Sequence, residues 1–126
     1  MMINRKIILR VSKLLNLAAD GNEQDWSIEF ADKSRITEFI KIISSMALSP
    51  SERYALVSLI LASYDDYLLN EIDKADTLWN QIIKVLDNNR GKYDELLNYW
   101  ALWGEENKEN WFNITFLTRN YLSKNK

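Results

Sequence analysis

The sequence contains no cysteine and no histidine among its 126 residues. Without cysteine, the chain can form neither a disulfide framework nor a thiolate metal site. Without histidine, it lacks the usual general base, the commonest zinc ligand and every Ser-His or Cys-His catalytic pair. An enzyme would have to work through carboxylates, lysine or tyrosine. We therefore expect a protein that is not an enzyme and needs no metal or other cofactor.

Residues that form tight turns are also scarce, with 3 glycines and 1 proline. Because β-turns depend heavily on these residues, their scarcity favours helices over sheets. No apolar run reaches the roughly 18 residues needed to span a bilayer, so we expect no membrane partner. The content of 47% hydrophobic and 27% charged residues is ordinary for a globular protein. The sequence thus predicts a single all-α domain over residues 1–126.

The most apolar part of the chain is the stretch 49–73. Read as a helix at about 100° per residue, its apolar side chains cover most of the circumference. Ser49 can cap this helix, Pro50 suits its first position, and Glu52 is placed to complete a capping box. A helix that is apolar on nearly all sides has to be covered by other elements. We therefore predict a central helix over about 50–72 in a bundle of about six helices.

Apolar residues at helical spacing predict further helices on both sides of the central one. Between the first two helices, Trp26, Ile28 and Phe30 alternate as in a short strand, yet Trp26 and Phe30 also fit one helical turn. Because no partner strand is visible, a short helix or an extended loop is the favoured interpretation. The other predicted helices cover approximately 3–19, 35–47, 75–86, 92–104 and 107–123.

The first predicted helix is basic on one face and apolar on the other. Arg10 and Lys13 interrupt the continuous apolar run that a secretory signal requires, so we expect a cytoplasmic protein. A basic amphipathic helix also suits an anionic membrane surface or a transit segment, but docking on the core is the favoured interpretation. Its predicted buried residues are Ile3, Ile7, Val11, Leu14 and Ala18, with Ile8 and Leu15 at the edge.

The net charge of −2 argues against direct binding of nucleic acid, which usually requires a basic surface. Both ends of the chain are nevertheless basic, and the acidic residues concentrate between them. An alternative function is therefore a small helical regulatory or adaptor protein of helix-turn-helix type, which would place these ends on DNA. The basic residues are Arg5, Lys6, Arg10 and Lys13 at the start and Arg119, Lys124 and Lys126 at the finish.

Two aspartates, Asp65 and Asp66, lie within the predicted central helix, where a buried charge is costly unless it is paired. The favoured interpretation is structural for at least one of them: an internal ion pair with a basic residue such as Arg119. The functional alternatives are an acidic spot for a basic partner, or part of a carboxylate metal site in a hydrolase. No loop with the oxygen-ligand spacing of a divalent-metal site accompanies them.

Two acidic runs with aromatic residues nearby are the candidate binding surface. A run of acidic residues is usually only a solvated surface, and most tryptophans in a small helical protein fill its core. Together, however, carboxylates can steer a basic partner while exposed Tyr or Trp side chains hold it. The candidate partner-binding residues are Glu71, Asp73, Asp76, Tyr99, Trp103, Glu105, Glu106 and Glu109.

Two segments resemble a known group of proteins. LVSLILASYDD, residues 56–66, is similar to the central helix of small immunity proteins from bacterial contact-dependent growth inhibition systems. NWFNITFLTRNYL, residues 110–122, resembles their aromatic-x-Ile-Thr-Pro-x-x-Arg ending through Ile114, Thr115 and Arg119. Phe116 stands at the position of the proline, which would let the last helix begin earlier. The likeness covers about a fifth of the chain.

This resemblance implies a cytoplasmic protein that binds the toxin domain of a cognate effector, often a nuclease, and blocks it. It also implies that Asp65, Asp66 and Arg119 hold the shared fold and do not contact the toxin. The acidic surface read from the residues alone agrees with this, because a nuclease tends to be basic where it grips nucleic acid. We therefore expect a stoichiometric, non-catalytic inhibitor.

Overall fold

The computed structural model describes residues 3–69 and 76–124, and this part of the chain forms helices joined by loops, without a strand. This confirms the predicted all-α class. No helix within these two ranges is long and apolar enough to cross a membrane. The described helices are α1 (Arg5–Leu15), α2 (Trp26–Glu29), α3 (Ile36–Ser45), α4 (Pro50–Tyr67), α5 (Thr77–Asn88), α6 (Asp94–Ala101) and α7 (Thr115–Lys124), with a 3-10 turn at Lys108–Asn110.

The chain divides into two compact units, Met1–Ser63 and Tyr64–Lys126. The boundary falls inside α4, so this helix contributes residues to both. The single domain over 1–126 that the sequence predicts stays a prediction.

In the first unit, α1 ends sooner than its apolar pattern predicts. Asn16 adopts the left-handed conformation (φ 57°), and its N–H bonds to the carbonyl groups of Ser12 and Lys13, which closes the helix. Ser12 is buried because it accepts a hydrogen bond from the Trp26 indole at 2.9 Å. The buried face is therefore rotated from the predicted one, Ala18 is exposed, and the buried residues are Ile8, Val11, Ser12 and Leu15.

The central helix α4 begins as predicted. Ser49 Oγ accepts from the Glu52 N–H at 3.2 Å, while Glu52 Oε1 accepts from the Ser49 N–H at 2.7 Å, which is a reciprocal capping box. Every residue from 54 to 64 is buried, in agreement with a helix that is apolar on nearly all sides. The helix ends at Tyr67, and the end predicted near residue 72 lies outside the described residues.

In the second unit, α6 and α7 pack against each other. Thr115 is buried at the start of α7 and its hydroxyl donates to the carbonyl of Trp100 at 2.8 Å. The expected early start of α7 is wrong: the helix begins at Thr115, after a separate 3-10 turn. The buried residues of the three helices are Trp79, Ile82, Val85 and Leu86 in α5, Leu97, Trp100 and Ala101 in α6, and Thr115, Leu117, Thr118 and Tyr121 in α7.

Candidate functional site

The segment 102–111, which we call the clamped loop, follows α6 and carries four of the predicted partner-binding residues. Arg119 of α7 holds its first part. The guanidinium donates from Nε to the carbonyl of Ala101 at 2.6 Å and from Nη2 to the carbonyls of Leu102 and Glu105. The last carbonyls of a helix have no partner within it, and a cation there also complements the helix dipole. One side chain thus ends α6 and fixes the loop that follows.

Aromatic side chains enclose the same guanidinium. Its central carbon lies 4.2 Å from the ring centroid of Trp111 and 5.3 Å from that of Trp103. The Trp111 indole donates to the carbonyl of Glu105 at 2.8 Å, and the Trp103 indole donates to Asn98 Oδ1 at 2.8 Å. The beginning and the end of the clamped loop therefore both contact the same cation.

The outward side of the clamped loop is acidic and aromatic. Trp103 is 50% exposed despite its contacts with Arg119 and Asn98. The carboxylates of Glu106 and Glu109 are exposed and make no hydrogen bond or ion pair with other described residues. Glu105 differs, because its Oε1 accepts from the Asn110 side chain at 2.7 Å. Glu106 and Glu109 are therefore the carboxylates of this loop that remain available to a partner.

Tyr99 lies on α6, directly before the clamped loop, and is 51% exposed. Its ring stacks on Phe112 at 5.5 Å and meets Trp100 edge-on at 5.2 Å. These contacts fix one part of the ring and leave the rest accessible to solvent. A supported but exposed aromatic ring is a feature of residues that contribute strongly to protein–protein binding.

Asp76 is placed differently from the other candidates, because its carboxylate serves the fold. Oδ1 caps α5 by accepting from the Trp79 N–H at 3.0 Å, and it also accepts from the Tyr64 hydroxyl at 3.1 Å. Burial alone would raise the pKa of Asp76, but these hydrogen bonds outweigh it and hold the pKa below its usual value. The remaining two candidates, Glu71 and Asp73, lie outside the described residues.

The predicted ion pair between an aspartate of α4 and Arg119 is wrong. Asp65 Oδ1 accepts from the Ile114 N–H at 2.9 Å, just before α7, and the Asp65 carbonyl accepts from the Asn113 side chain at 2.9 Å. Burial raises the pKa of Asp65. The Asp65 carboxylate and the Arg119 guanidinium therefore each bind main-chain groups and do not bind each other. Asp66 is exposed. The expectation of a structural role for one aspartate is correct, although the partner is different.

A cleft of about 270 Å³ lies beside the clamped loop, and no sequence pattern indicated it. Asp87 Oδ1 accepts from the Tyr121 hydroxyl at 2.7 Å and lies 3.3 Å from Arg90 Nη2, so one carboxylate oxygen holds two residues of the wall. The cleft is formed by the turn that follows α5, by α6, by the clamped loop and by α7. Its lining residues are Arg90, Gly91, Asp94, Asn98, Trp103, Tyr121 and Leu122.

Among the residues described, no three acidic side chains lie close enough to hold a metal ion together. Asp65 and Asp66 therefore do not form part of a larger carboxylate cluster with other described side chains. The Asp65 carboxylate binds the Ile114 N–H, and Asp66 faces solvent.

The chain matches no protein-family model, no curated protein and no solved structure. The likeness to immunity proteins consequently depends on the segments 56–66 and 110–122 alone. Both of these segments contain a charged residue that the structure places on main-chain groups, Asp65 in the first and Arg119 in the second. These residues therefore serve the fold, and the outward surface has to be considered separately.

Proposed function

We propose that this protein is an immunity protein, which binds and neutralises a cognate toxin domain by stoichiometric, non-catalytic inhibition. The toxin domain would be a basic nuclease of a contact-dependent growth inhibition system, and the antidote would act in the cytoplasm. The observation that carries the proposal is the clamped loop, in which Arg119 fixes the backbone from inside while Trp103, Glu106 and Glu109 face outward.

A fixed loop suits an inhibitor that has to bind tightly. Ordering a flexible segment on binding costs affinity, and internal contacts made before the encounter remove much of that cost. Here the loop backbone is already bonded to Arg119 through the carbonyls of Leu102 and Glu105. Trp103 and Tyr99, each about half exposed, then supply the aromatic surface that binding hot spots favour.

The charge of the exposed residues suits a nuclease as the partner. A nuclease carries positive side chains where it contacts the phosphate backbone. Carboxylates such as Glu106 and Glu109 would accelerate the encounter with that surface and compete with nucleic acid for it. The whole chain is also acidic, with a net charge of −2.

Co-purification with the product of the neighbouring gene tests the proposal. We expect a stable one-to-one complex, and loss of the partner's nuclease activity once the two proteins are equimolar. Failure to form a complex would overturn the proposal, and DNA binding by the purified chain that weakens with salt would favour the regulatory alternative.

Two matched variants locate the interface. Trp103→Ala removes the exposed aromatic ring of the clamped loop, and we expect it to raise the Kd about tenfold or more. Phe116→Ala removes an aromatic ring that is 48% exposed on α7, and we expect a much smaller change. Thermal unfolding of each variant shows whether the fold is retained. Equal effects of the two substitutions would move the interface away from the loop.

A further inference from the structure

The cleft beside the clamped loop has one charged group that the fold does not use. Asp94, in the first turn of α6, is exposed and makes no hydrogen bond or ion pair with the residues that the structure describes. The other charged wall residue, Arg90, lies 3.3 Å from Asp87. Because Asp87 offsets the charge of Arg90, Asp94 is the charged lining residue without an ionic partner among the described residues.

The remaining polar groups of the wall are partly committed to each other. The Tyr121 hydroxyl donates its proton to Asp87, and Asn98 Oδ1 accepts from the Trp103 indole. Among the side chains that line the cleft, Asp94 is therefore the principal free acceptor. A guest that brings hydrogen-bond donors and positive charge would find a partner there, whereas an anionic guest would meet the unpaired carboxylate.

The volume of the cleft and its aromatic wall indicate what kind of group it can bind. A volume of about 270 Å³ falls just below the roughly 300–1,000 Å³ typical of small-molecule sites, so one long side chain fits better than a larger ligand. Trp103 provides an indole ring, on which the stem or the charge of such a side chain can pack.

We propose that this cleft receives a single cationic side chain, arginine or lysine, from the bound partner, with Asp94 as its charge partner and Trp103 as its aromatic wall. The inference rests on the proposed function and adds to it the chemistry of one contact. A basic nuclease has such side chains on the surface that an inhibitor must cover.

The chemical preference of the cleft can be measured without any partner. We would titrate the full-length protein with N-acetyl-arginine amide, N-acetyl-glutamine amide and N-acetyl-glutamate amide, following the Trp103 indole N–H resonance by NMR. We expect saturable shifts with the arginine compound and little or no response to the other two. An equal or stronger response to the glutamate compound would overturn the proposal.

Three variants test the role of Asp94. Asp94→Asn should weaken binding of the arginine compound about three- to fivefold, and Asp94→Glu should restore much of it. Asp25→Asn makes the same change of charge at an exposed cap of α2 whose side chain makes no capping bond, and it should leave binding unchanged. Thermal unfolding monitors the fold of all three. If Asp94→Asn binds as well as the unmodified protein, the assignment is wrong.

The same variants separate this inference from the proposed function. If the partner binds the unmodified protein and the Asp94→Asn variant equally well, the cleft assignment fails and the immunity function stands. If the arginine compound binds the cleft but no neighbouring gene product forms a complex, the immunity function fails and the preference of the cleft for cations stands.

Discussion

At the scale of single residues, the two side chains predicted to form an ion pair bind different helix ends: Asp65 binds the start of α7, and Arg119 binds the end of α6. Asp65 accepts from the Ile114 N–H, and Arg119 donates to the carbonyls that end α6. The sequence indicates that these charges need partners, because an unpaired buried charge is costly. The sequence does not indicate which groups these partners are. Every residue has main-chain N–H and C=O groups, and no pattern of side chains marks the main-chain groups that lack a partner within a helix.

Replacing Asp65 tests its role as a cap. Asp65→Ala leaves the buried Ile114 N–H without an acceptor, and we expect the free energy of unfolding at pH 7 to fall by about 1–2 kcal/mol. Asp65→Asn keeps an oxygen at the same position, so its stability should stay within about 0.5 kcal/mol of the unmodified protein or exceed it. Urea unfolding measures both. Equal losses in the two variants would show that the charge, and not the acceptor, is required.

The burial of Asp65 also predicts how the stability of the Asp65→Asn variant depends on pH. Because burial raises the pKa of Asp65 above its usual 3.8, the native state binds a proton more readily than the unfolded state. The contribution of this group to stability therefore falls as the pH rises from the unfolded to the folded pKa. Asp65→Asn lacks this loss, so its stability relative to the unmodified protein should increase over that range.

At the scale of helices and loops, features that depend on residues close together in the sequence were predictable, and features that depend on contacts between distant segments were not. The capping box of Ser49 and Glu52 depends on residues three positions apart, and it forms as predicted. The buried face of α3 also follows its periodicity, with Ile36, Phe39, Ile40 and Ile43 inside. The start of α7 was missed because its acceptor, Asp65, lies 49 residues earlier in the chain.

The candidate site shows the same division. Tyr99 and Trp103 are each about half exposed, and their contact with a partner stays a prediction. Asp76 is predicted as a partner-binding residue, but an aspartate directly before a helix can also cap it, and here it does. The cleft escaped prediction because its walls come from separate segments that only the folded chain brings together.

The clamped loop and the end of α6 should depend on the shape of the Arg119 side chain as well as on its charge. A lysine cannot reproduce the fork that reaches the carbonyls of Ala101, Leu102 and Glu105. We expect Arg119→Lys to lower the free energy of unfolding by about 2–4 kcal/mol and to accelerate amide hydrogen exchange in residues 102–111.

Arg10→Lys provides the control for this substitution. Arg10 is 52% exposed and lies 3.5 Å from Glu52, a surface ion pair that lysine can also form. Its replacement should change stability by no more than about 0.5 kcal/mol. If Arg119→Lys behaves like this control, the guanidinium does not hold the loop.

At the scale of the whole molecule, charge makes a prediction about the kinetics of binding. Exposed carboxylates act mainly on the rate of encounter, and their influence is screened within a Debye length of about 10 Å at 0.1 M salt. Glu106→Lys with Glu109→Lys should slow association with the proposed nuclease partner about tenfold or more at low salt, while dissociation changes less.

The measurement is a series of stopped-flow association rates at increasing salt concentration. The unmodified protein should lose its rate advantage as salt rises, whereas the doubly reversed variant should be much less sensitive. Glu29→Lys with Asp66→Lys, at exposed positions outside the loop, reverses the same number of charges and should slow association less. If both double variants slow association equally, only the total charge matters and the loop has no special part in the encounter.

The clamp by Arg119 has a consequence for how this surface can diverge. What holds the loop is an inward cation bonded to main-chain oxygens, and those oxygens exist whatever side chains the loop carries. The residues at positions 106 and 109 can therefore be substituted in evolution with little loss of folding stability. The binding specificity of this surface can therefore change by substitution at a few outward positions, provided that Arg119 is kept.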